Sequence, residues 1–366
     1  MTERNSINRT ALSAKTLPKK ISFAGDRPLR ILSLDGGGIK GIFTTHYLAR
    51  LEELLGNANI GDYFDLIAGT STGGMIALGL AKDLSARELR YLYLTKGEHL
   101  FPRERWNAKN LEYVGDFIHR ELDGKWHDKA MFGHDIFFSK YDSEPLRELM
   151  AGIVGEDLLG DAKMALCIPS VNAEKHEPAI FKTPHHPDFE MDWKKSMLEV
   201  GMGTSAAPTY FKPSVDDDYI LLDGALIGNN PIMMAVVDIL SRFHVKPDEI
   251  RVLSIGTGAI LPPLTKRQIE GAGLLAWKNA VDHFNFYQSK NAIGQTCLLV
   301  GPQHVHRIEP KVENCGIDLG DYKKAAKLLP NDGTEQADRD FNLLKDLFFS
   351  SMSTGLPFHY GSRKLS

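Results

Sequence analysis

The sequence predicts an α/β domain built on a mostly parallel sheet flanked by helices, and three observations lead there. A short apolar run, Leu29-Arg30-Ile31-Leu32-Ser33-Leu34, ends at Asp35-Gly36-Gly37-Gly38. It passes into a helical pattern carried by Ile39, Ile42, Phe43, Tyr47, Leu48, Leu51, Leu54 and Leu55. A second run, FDLIAG, is followed by a turn at Ser71, and a helix of small residues opens from Gly73 to Leu80. Further apolar runs at 164–171, 179–182, 219–222 and 251–255 read as later strands. Strand, turn and helix in repeated alternation is how parallel strands are joined by crossovers.

The elements between these runs follow local rules. Ser85 and Glu88 have the spacing of a capping box, so a third helix is expected after Ser85. A helix is expected to begin near Asn230-Pro231, with proline at the first helical position, where its missing N–H costs nothing. Residues 265–349 read as mostly helical and as the completion of the same domain. The stretch 98–140 carries Phe101, Trp106, Trp126, Phe132, Phe137 and Phe138 among mixed charges without a clean period. It reads as an insertion over the sheet, a lid on one reading and core on the other. Residues 1–28 read as a flexible lead-in and 29–366 as one domain. Residues 1–30 hold seven Lys/Arg against two acids, which fits a solvated arm or a weak attraction to anionic lipid.

Bulk composition narrows the function. With 43% hydrophobic and 25% charged residues and a net charge of −4, the chain is globular and has no electrostatic case for a nucleic-acid polymer. Its three cysteines are widely spaced with no CxxC, which suits a reducing compartment and gives no zinc site. His185-His186 near Asp188 and Asp192 is the nearest approach to a metal cluster, but its flanking prolines read as a loop. No targeting segment and no membrane-spanning run is read, so the expectation is a cytoplasmic protein.

Three motifs at strand ends carry chemistry. Gly36-Gly37-Gly38-Ile39-Lys40-Gly41 is a G-x-G-x-x-G between strand and helix. A dinucleotide site would need an acid closing the next strand, and a phosphate loop would need G-K-[ST]; neither is present. What remains is a row of backbone N–H groups at a helix start, suited to any anion, or a purely structural turn. Gly69-Thr70-Ser71-Thr72-Gly73 places a serine between glycines at a strand-to-helix turn, the layout of an exposed nucleophile. Asp223-Gly224-Ala225 follows the apolar run Leu221-Leu222, putting a carboxylate at a strand end.

The sequences ILSLDGGGIKG, GTSTGG, GTSAAPTYF (203–211), DGA and SIGTG (254–258) together resemble the patatin-like phospholipases, over about residues 29–258. The resemblance implies a three-layer patatin-like fold. It implies Ser71 as nucleophile, Asp223 as its partner with no histidine, and the backbone of Gly36, Gly37 and Gly38 as oxyanion hole. Lys40 stands where arginine is frequent in that family. Inspection of the residues agrees on the base. Of 13 histidines, the late candidates His283, His304, His306 and His359 do not sit in a small-residue turn after an apolar strand, whereas Asp223 does.

By the same resemblance the substrate is a membrane glycerophospholipid, attacked peripherally at the inner membrane surface with no catalytic cofactor. The aromatic insertion and the tail 347–352 are candidate contacts with that surface, or core. The chain is also similar to compact bacterial patatin-like effectors of cyclic-oligonucleotide (CBASS-type) anti-phage systems. That implies activation by a cyclic dinucleotide such as cGAMP, although no nucleotide pocket is legible. A constitutive lipid acyl hydrolase and a non-catalytic nucleotide-binding module are the competing readings.

Overall fold

The computed structural model describes residues 18–101, 141–215, 219–258 and 280–364. Among these, eight strands form one sheet: β1 (Leu29–Leu34), β2 (Leu66–Gly69), β3 (Ala165–Asn172), β4 (Glu177–Lys182), β5 (Ser214–Val215), β6 (Ile220–Asp223), β7 (Ile250–Ile255) and β8 (Val305–Ile308). The accompanying helices are α1 (Gly41–Leu54), α2 (Thr72–Ala81), α3 (Ala86–Lys96), α4 (Glu144–Val154), α5 (Met197–Thr204), α6 (Ala225–Gly228), α7 (Ile232–Arg242), α8 (Ala280–Val300) and α9 (Tyr322–Phe348).

The centre of the sheet is parallel: β3, β2, β1, β7 and β8 lie side by side in one direction. All residues of β1 and β2 are buried, as expected of strands covered on both faces. Helices α2 and α7 pack on β1 and β2, while α9 runs along α1. Gly333 of α9 makes that last contact close, since a β-carbon there would stand 2.8 Å from the Phe43 carbonyl oxygen. The Ser85–Glu88 capping box forms as its spacing predicts, with Ser85 N–H donating to Glu88 at 2.8 Å and Ser85 Oγ accepting from Glu88 N–H at 3.2 Å.

Strand β3 sets up the site. Cys167 pairs with Ala68 of β2 on one edge and with Lys182 of β4 on the other. Three residues on, Ser170 pairs with Ala179 of β4 and with Asp223 of β6. Strand β6 therefore takes over the edge that β2 has left, running in the opposite direction. The carboxyl ends of β2 and β6 meet head to head, and this brings position 71 to position 223.

Several expectations change. Residues 21–27, expected to be flexible, are anchored: Ile21 N–H donates to Arg242 O and His244 N–H to Ile21 O, both at 2.9 Å, and Arg27 grips Asp65 at 2.8 Å through two bonds. Residues 1–17 of that lead-in lie outside the described residues, as does 102–140 of the aromatic insertion. The region 265–349 holds the expected helices α8 and α9, but also strand β8, which the sequence did not announce. Phe348 and Phe349 are core, packed against Phe64, whereas Met352 is exposed.

Candidate active site

Ser71 occupies a backbone conformation that side chains rarely adopt, φ 53° and ψ −122°, immediately before the first residue of α2. The flanking glycines are required by proximity. A β-carbon on Gly69 would run into the Gly73 carbonyl, and one on Gly73 into the Leu34 carbonyl. Neighbours hold the strained turn in place. Ser71 N–H donates to Thr204 Oγ1 at 3.1 Å, Thr204 donates in turn to Pro169 O at 2.6 Å, and Thr70 Oγ1 donates to Gly228 O at 2.8 Å.

Asp223 is fixed from both sides of its strand. Its N–H donates to Ala206 O at 2.9 Å, and Gly224 N–H donates to Thr204 O at 3.2 Å, so the GTSAAP segment supports both Ser71 and Asp223. The carboxylate accepts a hydrogen bond from Ala225 N–H at 2.7 Å, and the neighbouring Ser71 hydroxyl also favours its charged form. It is 2% exposed. Burial pushes its pKa up to about 7, and Ala225 N–H and the Ser71 hydroxyl only partly offset that. The carboxylate is thus a base about as strong as imidazole, far from its unperturbed range.

The glycine loop lies against the serine, since a β-carbon on Gly36 would stand 3.2 Å from Ser71 Cβ and 2.5 Å from Asn229 Oδ1. Gly36 itself is not an available donor, which corrects the expectation for this residue. Its N–H is committed to Asn229 O at 3.0 Å, and its carbonyl accepts from Thr257 Oγ1 at 2.6 Å. Gly37 and Gly38 differ, for among the described residues their N–H groups have no acceptor. Gly38 has φ +58°, and a β-carbon there would meet the Leu319 carbonyl at 2.6 Å. Two uncommitted N–H groups beside a serine at a helix start are equipped to receive a developing oxyanion.

The cavity at Ser71 is lined by Gly38, Leu100, Phe101, Tyr210, Phe211 and Leu319 among others, and among the described residues no histidine lines it. Its volume is about 20 Å³, room for roughly one water. A larger cavity of about 1120 Å³ between α3 and α4 contains none of the motif residues. His185 is buried between Thr183 Oγ1 and Asp238, each at 2.8 Å, and His186 donates to Lys19 O at 2.9 Å. Residues that sequence reasoning passed over are Thr204, Asn229 and Thr257, which hold the turn and the loop. Thr204 and Thr257 lie inside GTSAAPTYF and SIGTG, so their motifs were visible but not their roles.

A serine on a strained strand-to-helix turn, placed beside a buried carboxylate and free backbone donors, defines the architecture of a serine-elbow α/β protein. A family model described as patatin-like phospholipase matches residues 32–236, more than half of the chain, and the chain belongs to that family. Curated relatives include proteins named cGAMP-activated phospholipase. The one from Escherichia coli is 38% identical over 248 residues, covering 64% of this chain and 64% of its own. That from Vibrio cholerae is 35% identical over 243 residues, covering 63% and 64%, and that from Pseudomonas aeruginosa is 36% identical over 231 residues, covering 63% and 62%. The match thus spans a little under two thirds of the length of these relatives. Among the described residues no helix is long and apolar enough to cross a membrane.

Proposed function

We propose that this chain is a serine lipid acyl hydrolase of the phospholipase A type, working through a Ser71–Asp223 dyad and switched on by a cyclic dinucleotide such as cGAMP in antiviral defence. The observation that carries the chemistry is the strained Ser71 placed beside a buried carboxylate whose pKa burial pushes up to about 7. Asp223 takes the Ser71 proton as the hydroxyl oxygen attacks the acyl carbonyl carbon. The oxyanion of the tetrahedral intermediate accepts hydrogen bonds from Gly37 and Gly38 N–H. Protonated Asp223 then gives its proton to the departing lysolipid oxygen, and water attacks the acyl-Ser71 ester by the same route.

Regulation is supported by two things. The relatives in three bacteria carry activation by cGAMP in their names. Among the described residues the cavity at Ser71 is small, about 20 Å³, so a ligand that favours a wider one would favour turnover. A ligand favours the enlarged state only by its differential affinity for it, and moving 1% open to 99% takes roughly 10⁴-fold. The substrate is a membrane glycerophospholipid met peripherally at the inner membrane surface.

The test is fatty-acid release from phosphatidylglycerol/phosphatidylethanolamine vesicles by purified protein with and without cGAMP. Near-zero release without the nucleotide and a rise of 100-fold or more with it (~100-fold), absent in Ser71→Ala, is the expected result. Full release without nucleotide would make the enzyme constitutive. Nucleotide binding with no release of any acyl group would make the chain a binding module.

A further inference from the structure

Behind the glycine loop lies a second buried carboxylate with a different environment. Asp35 follows β1 and directly precedes Gly36, and it is 3% exposed. Arg307 of β8 meets both of its oxygens, Nη1 donating to Oδ1 at 2.8 Å and Nη2 to Oδ2 at 2.5 Å. The remaining guanidinium donors are also used: Nη1 reaches Ser254 Oγ at 2.7 Å, and Nη2 and Nε reach Glu309 Oε1 at 2.6 and 3.0 Å. Glu309 Oε2 accepts from Gly258 N–H at 3.2 Å, next to Thr257, whose hydroxyl holds the Gly36 carbonyl. At the far end of the loop, Ile39 N–H donates to Leu319 O at 2.9 Å. Residues 307–319 therefore tie down both ends of the loop, and all of them lie outside the family match at 32–236.

Three successive glycines cannot fix their own direction, because each has the widest conformational freedom of any residue. Gly37 and Gly38 N–H bond to nothing among the described residues, so no bond of their own aims them. Their aim comes from the loop ends. A two-point Arg–carboxylate contact sets both position and rotation, which a point charge does not.

We propose that Arg307 is a positioning residue for the oxyanion hole: by gripping Asp35 at two points it fixes the direction of the Gly37 and Gly38 N–H groups. It touches neither Ser71 nor the acyl group. The inference rests on reading Gly37 and Gly38 as the oxyanion donors, and it makes β8, outside the matched family region, part of the catalytic support.

The experiment compares Arg307→Met, Arg307→Lys and Asp35→Asn with wild type in the full chain. With cGAMP present, it measures kcat and KM on a soluble short-chain ester and hydrogen exchange of the peptide covering residues 35–40. Each variant is expected to lose ~10–100-fold in kcat with KM within about threefold, since a misaimed donor forfeits part of what a deleted one does. Exchange at Ile39 and Lys40, whose N–H groups bond Leu319 O and Gly37 O, is expected to quicken about tenfold or more, with β7 unchanged. Arg307→Lys keeps the charge without the fork and is the variant to rely on if Arg307→Met does not fold. A folded Arg307→Lys with wild-type kcat, or unfolding of all three variants, would overturn the proposal and leave Arg307 a stability residue. If wild type hydrolyses no ester with or without cGAMP, the functional reading fails instead, and the exchange measurement still decides whether Arg307 holds the loop.

Discussion

Two hydroxyl-and-carboxylate constellations lie on this sheet, and the one that looks more like a hydrolase triad is the less suited to be one. Thr183, His185 and Asp238 line up at 2.8 Å spacings as hydroxyl, imidazole and carboxylate. Ser71 and Asp223 have no histidine between them. Yet Thr183 is fully buried, its hydroxyl oxygen accepts from Leu166 N–H at 2.9 Å, and Asp238 also bonds Lys182 at 2.5 Å. Lys182 and the His185 bond hold the Asp238 carboxyl well below the usual range although burial acts the other way. Such a carboxylate is a poor proton acceptor. Asp223 has no cation among its partners in the described residues, and burial pushes it up to about 7. The same residue type, equally buried, becomes a structural anion in one place and a candidate base in the other, and the neighbouring cation makes the difference.

The largest test of that contrast is substitution at each constellation. Ser71→Ala and Asp223→Asn should each lower ester turnover by ~10⁴-fold or more, because the two act as one unit. His185→Gln should leave turnover per folded molecule within about threefold. Initial rates normalised to the folded fraction decide this, and a folded His185→Gln as inactive as Ser71→Ala would reverse the assignment.

Stability should divide the two aspartates in the opposite direction. Asp238→Ala strands Lys182 and should cost ~3–5 kcal/mol in urea unfolding. Asp223 has a folded pKa above its unfolded value, so the native state holds more protons between about 4 and 7. Its ionisation therefore destabilises the fold as pH rises through that window, by an amount on the order of 3–4 kcal/mol once above 7. Asp223→Asn keeps an acceptor for Ala225 N–H and removes this cost, so at pH 8 it should be more stable than wild type while inactive. A destabilised Asp223→Asn at pH 8 would contradict the environment described for Asp223.

A smaller effect is expected at the loop. Gly37→Ala would drive its β-carbon into the Thr257 hydroxyl. Turnover should fall by ~100-fold, with little change in binding of an unreactive lipid analogue. Retained turnover would give the loop a structural role only.

The sequence made much of this site legible because its parts sit at strand ends punctuated by glycine. Glycine spacing around Ser71 reflects backbone contacts with Gly73 and Leu34, and such contacts leave a local mark in the sequence. What was not legible is long-range. Strand β8 is four residues with His306 and Arg307 in the middle, so it has no apolar run to announce it, and the half-buried Arg307 meets Asp35 272 residues away. The commitment of Gly36 N–H to Asn229 likewise depends on a segment 193 residues downstream, so the three glycines looked equivalent in sequence. The pKa of Asp223 could not be read either, since burial without a cation is a property of the packed site.

The central claim is that a buried carboxylate, with no imidazole, takes the Ser71 proton. It is tested most directly by following aspartate carboxyl carbons by NMR across pH 4–9 alongside kcat/KM on a soluble ester. The expected result is one resonance, missing in Asp223→Asn, that titrates near 7, with kcat/KM rising on the same midpoint as Asp223 ionises. An Asp223 resonance titrating near its unperturbed value of ~3.9 while activity still rises near 7 would contradict the account and return the proton to another group.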